Sequence, residues 1–171
     1  YQPRLTIDEE KINALPLAIQ AKGQINAIIV RQVKDRYELV AGERRWRAMQ
    51  RLGHKTIRPV IRRLSDADAK ILAVTDNTAR ENLPEYELAK SIKGLIAEGV
   101  VKNQAEAAGL FGFTPVEVTR FMSFHRLPIE VMPLLDQRPG FLSARAASDF
   151  VPYMKSDDAD LITMAIQKVF D

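Results

Sequence analysis

The stretch YELVAGERRWRAMQRLG, residues 37–53, decides the fold of the first part of the chain. Its first five residues alternate polar and apolar side chains and are rich in β-formers, which predicts a strand that ends at Gly42. Apolar residues then recur at helical spacing up to Gly53, a residue suited to cap a helix. The sequence therefore predicts a strand, a glycine turn and a helix N-terminus in direct succession.

The predicted helix N-terminus carries a concentration of positive charge. Arg44, Arg45 and Arg47 lie within about the first turn and a half, where backbone N–H groups are unpaired and the helix dipole is positive. Such a place binds anions, above all phosphate. The same residues would also suit a solvated helix face with surface ion pairs to Glu43. The local spacing does not decide between these two interpretations.

Composition narrows the possible functions. The chain has 171 residues, 46% of them hydrophobic, and a net charge of +3. Between Gly42 and Arg63 there are eight lysines or arginines and one acid, which suits a polyanionic partner. The absence of cysteine excludes disulfides and thiolate chemistry. No apolar run approaches the roughly 20 residues that span a bilayer, so we expect a cytoplasmic fragment of a longer protein.

The elements predicted around the first stretch alternate between helix and strand. They are a helix from Asp8 towards Gly23 kinked at Pro16, a strand over 25–33, the strand before Gly42, a short strand over 56–62 and a helix that starts at Ser65. The two strands on either side of the Lys34-Asp35 turn are expected to form a hairpin. We therefore predict an α+β first domain over residues 1–83.

Residues 84–171 show helical patterns separated by Gly and Pro, which predicts an all-α second domain. A helix-turn-helix pattern lies at about 103–125. Asn103 caps its first helix, Gly112 makes the turn, and Thr114 caps the second helix. An ordinary helical hairpin has the same spacing, so the pattern alone does not establish DNA binding.

The second helix of this pattern is expected to bury Val118, Phe121 and Met122 and to turn its other side outward. Arginine, threonine and serine side chains on such a side reach base edges or phosphates in a major groove. The predicted DNA-binding residues are Thr114, Val116, Thr119, Arg120 and Ser123.

Several short sequence motifs, here called boxes, resemble in their order and spacing those of the ParB family of DNA partition proteins. They are YQPR at residues 1–4, Gly23 before the β-branched run, GERRWRA at 42–48, DNTAR at 76–80 followed by Leu83, and then the helix-turn-helix. GERRWRA is a specific box, and the resemblance covers nearly the whole chain. It implies an α+β, ParB/sulfiredoxin-like N-terminal domain followed by an all-α helix-turn-helix domain.

The resemblance implies a cytidine triphosphate (CTP) switch at the GERR box. The residues it assigns to the nucleotide are Gly23, Gly42, Glu43, Arg44, Arg45, Asn77 and Arg80. Asp76 stands where the family has the glutamate that serves Mg²⁺, and Asn26-Ala27 stand where it has Gln-Pro. Asn26 and Asp76 are therefore the candidate catalytic residues for slow CTP hydrolysis. Because positioning a water molecule demands accurate geometry, these departures favour nucleotide binding over hydrolysis.

The mechanism implied by the resemblance is that of a DNA clamp. The helix-turn-helix would bind a palindromic centromere-like site, and nucleotide would then drive the two N-terminal domains of a homodimer to engage and spread along DNA. The protein would be associated with a nucleoid or plasmid. A ParA-type ATPase would bind a segment ahead of Tyr1, and the family's C-terminal dimerisation domain is not expected within these residues.

Two other classes of function stay open. The first is a helix-turn-helix transcriptional repressor with a degenerate nucleotide pocket, which the residues at 26, 27 and 76 favour. The second is a sulfiredoxin-like or kinase-like enzyme, but sulfiredoxin chemistry needs a cysteine and a small-molecule kinase would not need the helix-turn-helix. Trp46 is expected to pack in the core against the hairpin rather than to contact a ligand.

Overall fold

A computed structural model describes residues 24, 26–78, 83–155 and 159–170. The backbone divides into two compact units, Tyr1–Asp76 and Asn77–Asp171. This division falls inside a helix, a few residues before the boundary predicted after residue 83. The predicted domain boundary stays a prediction. The predicted class, an α+β part followed by an all-α part, is confirmed. The helix predicted from Asp8 towards Gly23 lies outside the described residues.

The described part of the first unit contains a three-stranded sheet and two helices. They are β1 (Ile28–Val33), β2 (Arg36–Ala41), α1 (Glu43–Arg51), β3 (Pro59–Ile61) and α2 (Asp66–Thr78), which runs across the division. The strand order is β2-β1-β3, with β1 antiparallel to β2 and parallel to β3. The hairpin turn at Lys34-Asp35, where Lys34 has a φ of 54°, confirms the predicted hairpin.

A small core lies between the sheet and the helices. Ile28 on β1, Ala48 on α1 and Val74 on α2 are almost wholly buried. The expectation that Trp46 belongs to this core is wrong, because its side chain is 38% exposed. Side chains two positions apart on a helix point in directions that differ by roughly 200°. Because Ala48 faces the core, the indole of Trp46 faces away from it. Trp46 instead lines an open groove with Tyr37.

A buried charge joins the hairpin to α2. Arg31 on β1 is 9% exposed, and its Nε donates to Glu38 Oε2 at 2.7 Å. Its Nη1 lies 2.7 Å from Asp66 Oδ1 at the start of α2. The hydrogen bond to Glu38 is the main reason that the pKa of Arg31 is raised. The pair with Glu38 joins β1 to β2, and the pair with Asp66 links β1 to the start of α2.

The described part of the second unit is all-helical. Its helices are α3 (Glu85–Ala97), α4 (Gln104–Phe111), α5 (Pro115–Ser123), α6 (Met132–Gln137), α7 (Ala144–Phe150) and α8 (Ala159–Phe170), with 3₁₀ turns at Phe124–Arg126, Ile129–Val131 and Val151–Lys155. Helix α5 packs against α3, α4 and α7. Within the described ranges, no helix combines the length and apolar character needed to cross a membrane.

Polar contacts fix α3 against the later helices. The hydroxyl of Tyr86 donates to Asp136 Oδ1 at 3.1 Å, and Lys90 Nζ donates to the same oxygen at 2.8 Å. The hydrogen bond from Lys90 is the main cause that lowers the pKa of Asp136. Glu85 Oε2 accepts the backbone N–H of Ala144 at 2.7 Å. These contacts join α3 to α6 and α7, and α3 and α7 both contact α5.

Candidate nucleotide and DNA-binding sites

The turn before α1 accepts only glycine. Gly42 has a φ of +96°, a conformation that residues with a side chain rarely adopt. A Cβ added there would lie 2.9 Å from Ile28 Cγ2 and 3.2 Å from Ile28 Cα. Helix α1 therefore begins in close contact with β1. The predicted succession of strand, glycine turn and helix is confirmed.

The start of α1 has no side-chain cap. The backbone N–H of Trp46 donates to Gly42 O at 3.1 Å, whereas N–H groups in a first helical turn have no intrahelical partner. Glu43 Oε1 pairs with Arg47 Nη2 at 2.5 Å, which partly neutralises the only acid of this turn. The structure therefore contains the ion pair to Glu43 expected for a solvated helix face. It also contains a helix N-terminus that can bind an anion.

Arg45 connects α1 to the loop that carries Asn26 and Ala27. Its Nη1 donates to the backbone oxygen of Ala27. In the same loop, the Gln24 side chain accepts the Arg58 N–H at 2.7 Å and donates to Arg58 O at 2.8 Å. It also donates to the backbone oxygen of Asn26, whose own side chain is exposed. The structure therefore brings Arg45 directly to the loop that carries Asn26. The hydrogen bonds of Gln24 separately join this loop to Arg58, and no local pattern in the sequence predicts them.

The DNTAR motif, residues 76–80, begins at the end of α2. Asp76 and Asn77 are half-buried in its last turn, whereas Gly23 and Arg80 lie outside the described residues. In the described ranges, no three His, Cys, Asp or Glu side chains are grouped to hold a metal ion. Mg²⁺ often binds one or two carboxylates together with substrate phosphates. The role of Asp76 as such a ligand stays a prediction.

Helices α4 and α5 form the predicted helix-turn-helix. The Asn103 side chain caps α4, Gly112 makes the turn with a φ of 75°, and Thr114 caps α5. The rings of Phe113 and Phe121 pack edge to face with their centroids 5.2 Å apart. The two caps and the glycine turn confirm the roles predicted for Asn103, Gly112 and Thr114.

A capping box fixes the start of α5. The Thr114 hydroxyl accepts the Glu117 N–H at 3.2 Å and donates to Glu117 Oε2 at 2.8 Å. The same carboxylate oxygen accepts the Thr114 N–H at 2.7 Å. These hydrogen bonds, the backbone one first, lower the pKa of Glu117. The Thr114 hydroxyl proton is therefore already used within the cap.

The outward side of α5 carries most of the predicted DNA-binding residues. Val116 is 59% exposed, and Thr119 and Arg120 are exposed as well. The expectation that Ser123 lies on this outward side is wrong, because Ser123 is 3% exposed and its hydroxyl donates to Thr119 O at 3.2 Å. Its contact with DNA stays a prediction. The chain continues there into a 3₁₀ turn whose first residue, Phe124, is wholly buried. That turn encloses the end of α5.

Comparison with known proteins points to one family. The family model of the ParB N-terminal domain matches residues 1–78. A probable chromosome-partitioning protein ParB of Coxiella burnetii is 36% identical over 165 residues, 95% of this chain and 56% of that protein. A nucleoid occlusion protein of Geobacillus kaustophilus is 38% identical over 139 residues, 81% of this chain and 49% of that protein. The chain thus spans about half the length of these curated relatives.

A solved structure is similar over nearly the whole chain. It is the C-terminally truncated chromosome-partitioning protein ParB of Caulobacter crescentus, complexed to the centromeric parS site. The two sequences are 32% identical, and the match covers 98% of this chain and 85% of that one with a TM-score of 0.70. The similarity therefore extends through both units.

Proposed function

This chain belongs to the ParB family of DNA partition proteins, and on that premise we propose that it is the clamp part of a CTP-dependent centromere-binding protein. It binds a palindromic DNA site through α5 and a nucleoside triphosphate at the start of α1. The observation that carries the proposal is the similarity to a ParB solved on its parS site, at a TM-score of 0.70 over 98% of this chain.

DNA binding is supported by the outward side of α5. Arg120 is exposed there and makes no hydrogen bond or ion pair within the described ranges. The capping box orders the first turn, which is the part of a recognition helix that contacts base edges. Arg126 and Arg145 are exposed on neighbouring segments and suit phosphate contacts.

Nucleotide binding is supported by the start of α1. Unpaired N–H groups of the first turn, together with Arg44 and Arg45, would hold phosphate oxygens of CTP. Arg45 also contacts the Ala27 carbonyl, so an anion at this place lies next to the loop that carries Asn26. Mg²⁺ would be held by the phosphates and Asp76. CTP would supply the negative charge that complements Arg44, Arg45 and the helix N-terminus.

Family membership supports a clamp cycle as the mechanism of this proposal. Nucleotide binding drives the N-terminal units of two copies to engage around DNA, and the closed dimer spreads from its loading site. A ParA-type ATPase acts on the same protein during partition of a chromosome or plasmid. Slow CTP hydrolysis, with Asn26 and Asp76 as the candidate residues, would reopen the clamp.

Two other functions have specific support. Nucleoid occlusion is favoured by the Geobacillus relative of that name, which is 38% identical. A repressor with a degenerate nucleotide pocket is favoured by Asn26, Ala27 and Asp76, which depart from the family boxes. A sulfiredoxin-like enzyme has no such support, since sulfiredoxin chemistry needs a cysteine and these 171 residues contain none.

The test of DNA binding is selection of duplexes from a random pool by the purified chain. We expect enrichment of a palindrome, and Arg120→Ala should weaken its binding by about 1–3 kcal/mol in fluorescence anisotropy. Arg36→Ala removes the same charge from an exposed site on the hairpin and should leave the preference for the palindrome unchanged. Failure to enrich any duplex would contradict the proposal.

A further inference from the structure

The hydroxyl protons along α5 are all engaged within the helix. Thr114 donates to Glu117 Oε2 at 2.8 Å, Thr119 donates to Pro115 O at 2.8 Å, and Ser123 donates to Thr119 O at 3.2 Å. Each hydroxyl has one proton to donate. These three residues therefore cannot donate a hydrogen bond to a base without breaking one in the helix.

Arg120 is left as the donor of this side. Its guanidinium carries five N–H groups in a planar fork. Its interaction with Glu117 is a long-range electrostatic attraction. The fork matches the two acceptors of guanine, N7 and O6, in the major groove. Adenine offers the N7 acceptor and the N6 amino donor at the same edge. One N–H of the guanidinium would then face the amino group of adenine, and two donors cannot form a hydrogen bond.

Apart from Glu117, whose Oε2 is held in the capping box, the exposed groups beside Arg120 on this side of α5 are apolar. Val116 is 59% exposed, and Thr119, whose hydroxyl proton is directed to the Pro115 carbonyl, keeps its methyl group for contacts. Side chains three and four positions apart share one side of a helix. In a major groove, apolar groups contact the C5 methyl of thymine.

From this inventory we propose that α5 reads a guanine with neighbouring thymines in each half-site. Arg120 reads the guanine, and Val116 and Thr119 read thymine methyl groups. One helical turn rises about 5.4 Å, which is less than two base-pair steps of about 3.4 Å, so these bases lie within about two steps of each other. The inference rests on the proposed DNA-binding function and adds the identity of the bases.

Base analogues test the inference without altering the protein. In the palindrome enriched from the random pool, each guanine is replaced in turn by 7-deazaguanine and each thymine by deoxyuracil. One 7-deazaguanine per half-site should weaken binding about 5- to 150-fold. Deoxyuracil at the neighbouring positions should weaken it about 4-fold for each methyl lost.

Protein variants assign each loss to a side chain. With Arg120→Ala the effect of 7-deazaguanine should disappear, and with Thr119→Ser or Val116→Ala the effect of one deoxyuracil should disappear. Serine at 119 keeps the hydroxyl that bonds Pro115 and removes only the methyl group. Arg120→Lys keeps the charge without the fork, so it should lose the guanine preference while retaining salt-dependent binding.

The two proposals fail in different ways. If no duplex is enriched, both the DNA-binding function and the base assignment are overturned. If a palindrome is enriched but tolerates both analogues throughout, DNA binding stands and the base assignment is overturned. Analogue effects that persist undiminished in Arg120→Ala, Val116→Ala and Thr119→Ser overturn the assignment too.

Discussion

Replacing Gly42 by alanine tests whether the start of α1 is fixed by its contact with β1. At a φ of +96°, a residue with a Cβ is destabilised by about 1–2 kcal/mol. The added Cβ also lies 2.9 Å from Ile28 Cγ2 and 3.2 Å from Ile28 Cα. Overpacking of this kind typically destabilises by about 1–3 kcal/mol. Gly42→Ala should therefore lower the free energy of unfolding by about 2–5 kcal/mol.

Gly53→Ala is the matched control at the other end of α1. Gly53 has a φ of +73°, but an added Cβ meets nothing within 4 Å, so only the backbone term of about 1–2 kcal/mol applies. Urea unfolding followed by the fluorescence of Trp46, the chain's single tryptophan, reports on α1 directly. Equal losses in the two variants would refute the reasoning, because the contact with Ile28 would then contribute nothing.

Three further predictions concern the second unit. Asn103→Ala removes the cap that accepts the Glu106 N–H at 3.0 Å and should destabilise the unit by about 1 kcal/mol in circular-dichroism melts; an unchanged melt would contradict the capping role. Ser123→Ala should leave affinity for the enriched palindrome unchanged in anisotropy, because that side chain is buried; a specific loss would restore it as a DNA contact. The hydrogen bond from Lys90 lowers the pKa of Asp136 from its ordinary value, so the contribution of Asp136 to stability is present above the unfolded-state pKa and is lost as pH falls through the folded-state pKa. Asp136→Asn should be less stable at neutral pH and lose less stability on acidification; parallel acid-unfolding curves would exclude this.

Local patterns were enough to predict the elements that carry the candidate sites. The glycine turn before α1 and the caps of α4 and α5 each depend on residue types at fixed offsets of one to three positions. Asn103, Gly112 and Thr114 hold the places expected for them because capping is decided by the nearest backbone groups. The same holds for the hairpin between β1 and β2.

Contacts between distant positions could not be read in this way. Gln24 and Arg58 are 34 positions apart, and their pairing depends on β1 lying beside β3. Arg31 and Asp66 likewise meet only after the sheet forms. Ser123 has the spacing of an outward residue, but whether the next turn covers it depends on how the chain continues. These are properties of packing, and no local pattern reports them.

The most direct test of the two-site mechanism is isothermal titration of the chain with each of the four nucleoside triphosphates and Mg²⁺, with and without the enriched palindrome. We expect selective binding of the cytidine nucleotide, and Arg45→Ala should abolish it while leaving binding of the palindrome intact. Binding of DNA without binding of any triphosphate would contradict the CTP switch and leave a helix-turn-helix repressor on a ParB fold. Equal loss of nucleotide and DNA binding in Arg45→Ala would contradict the separation of the two sites.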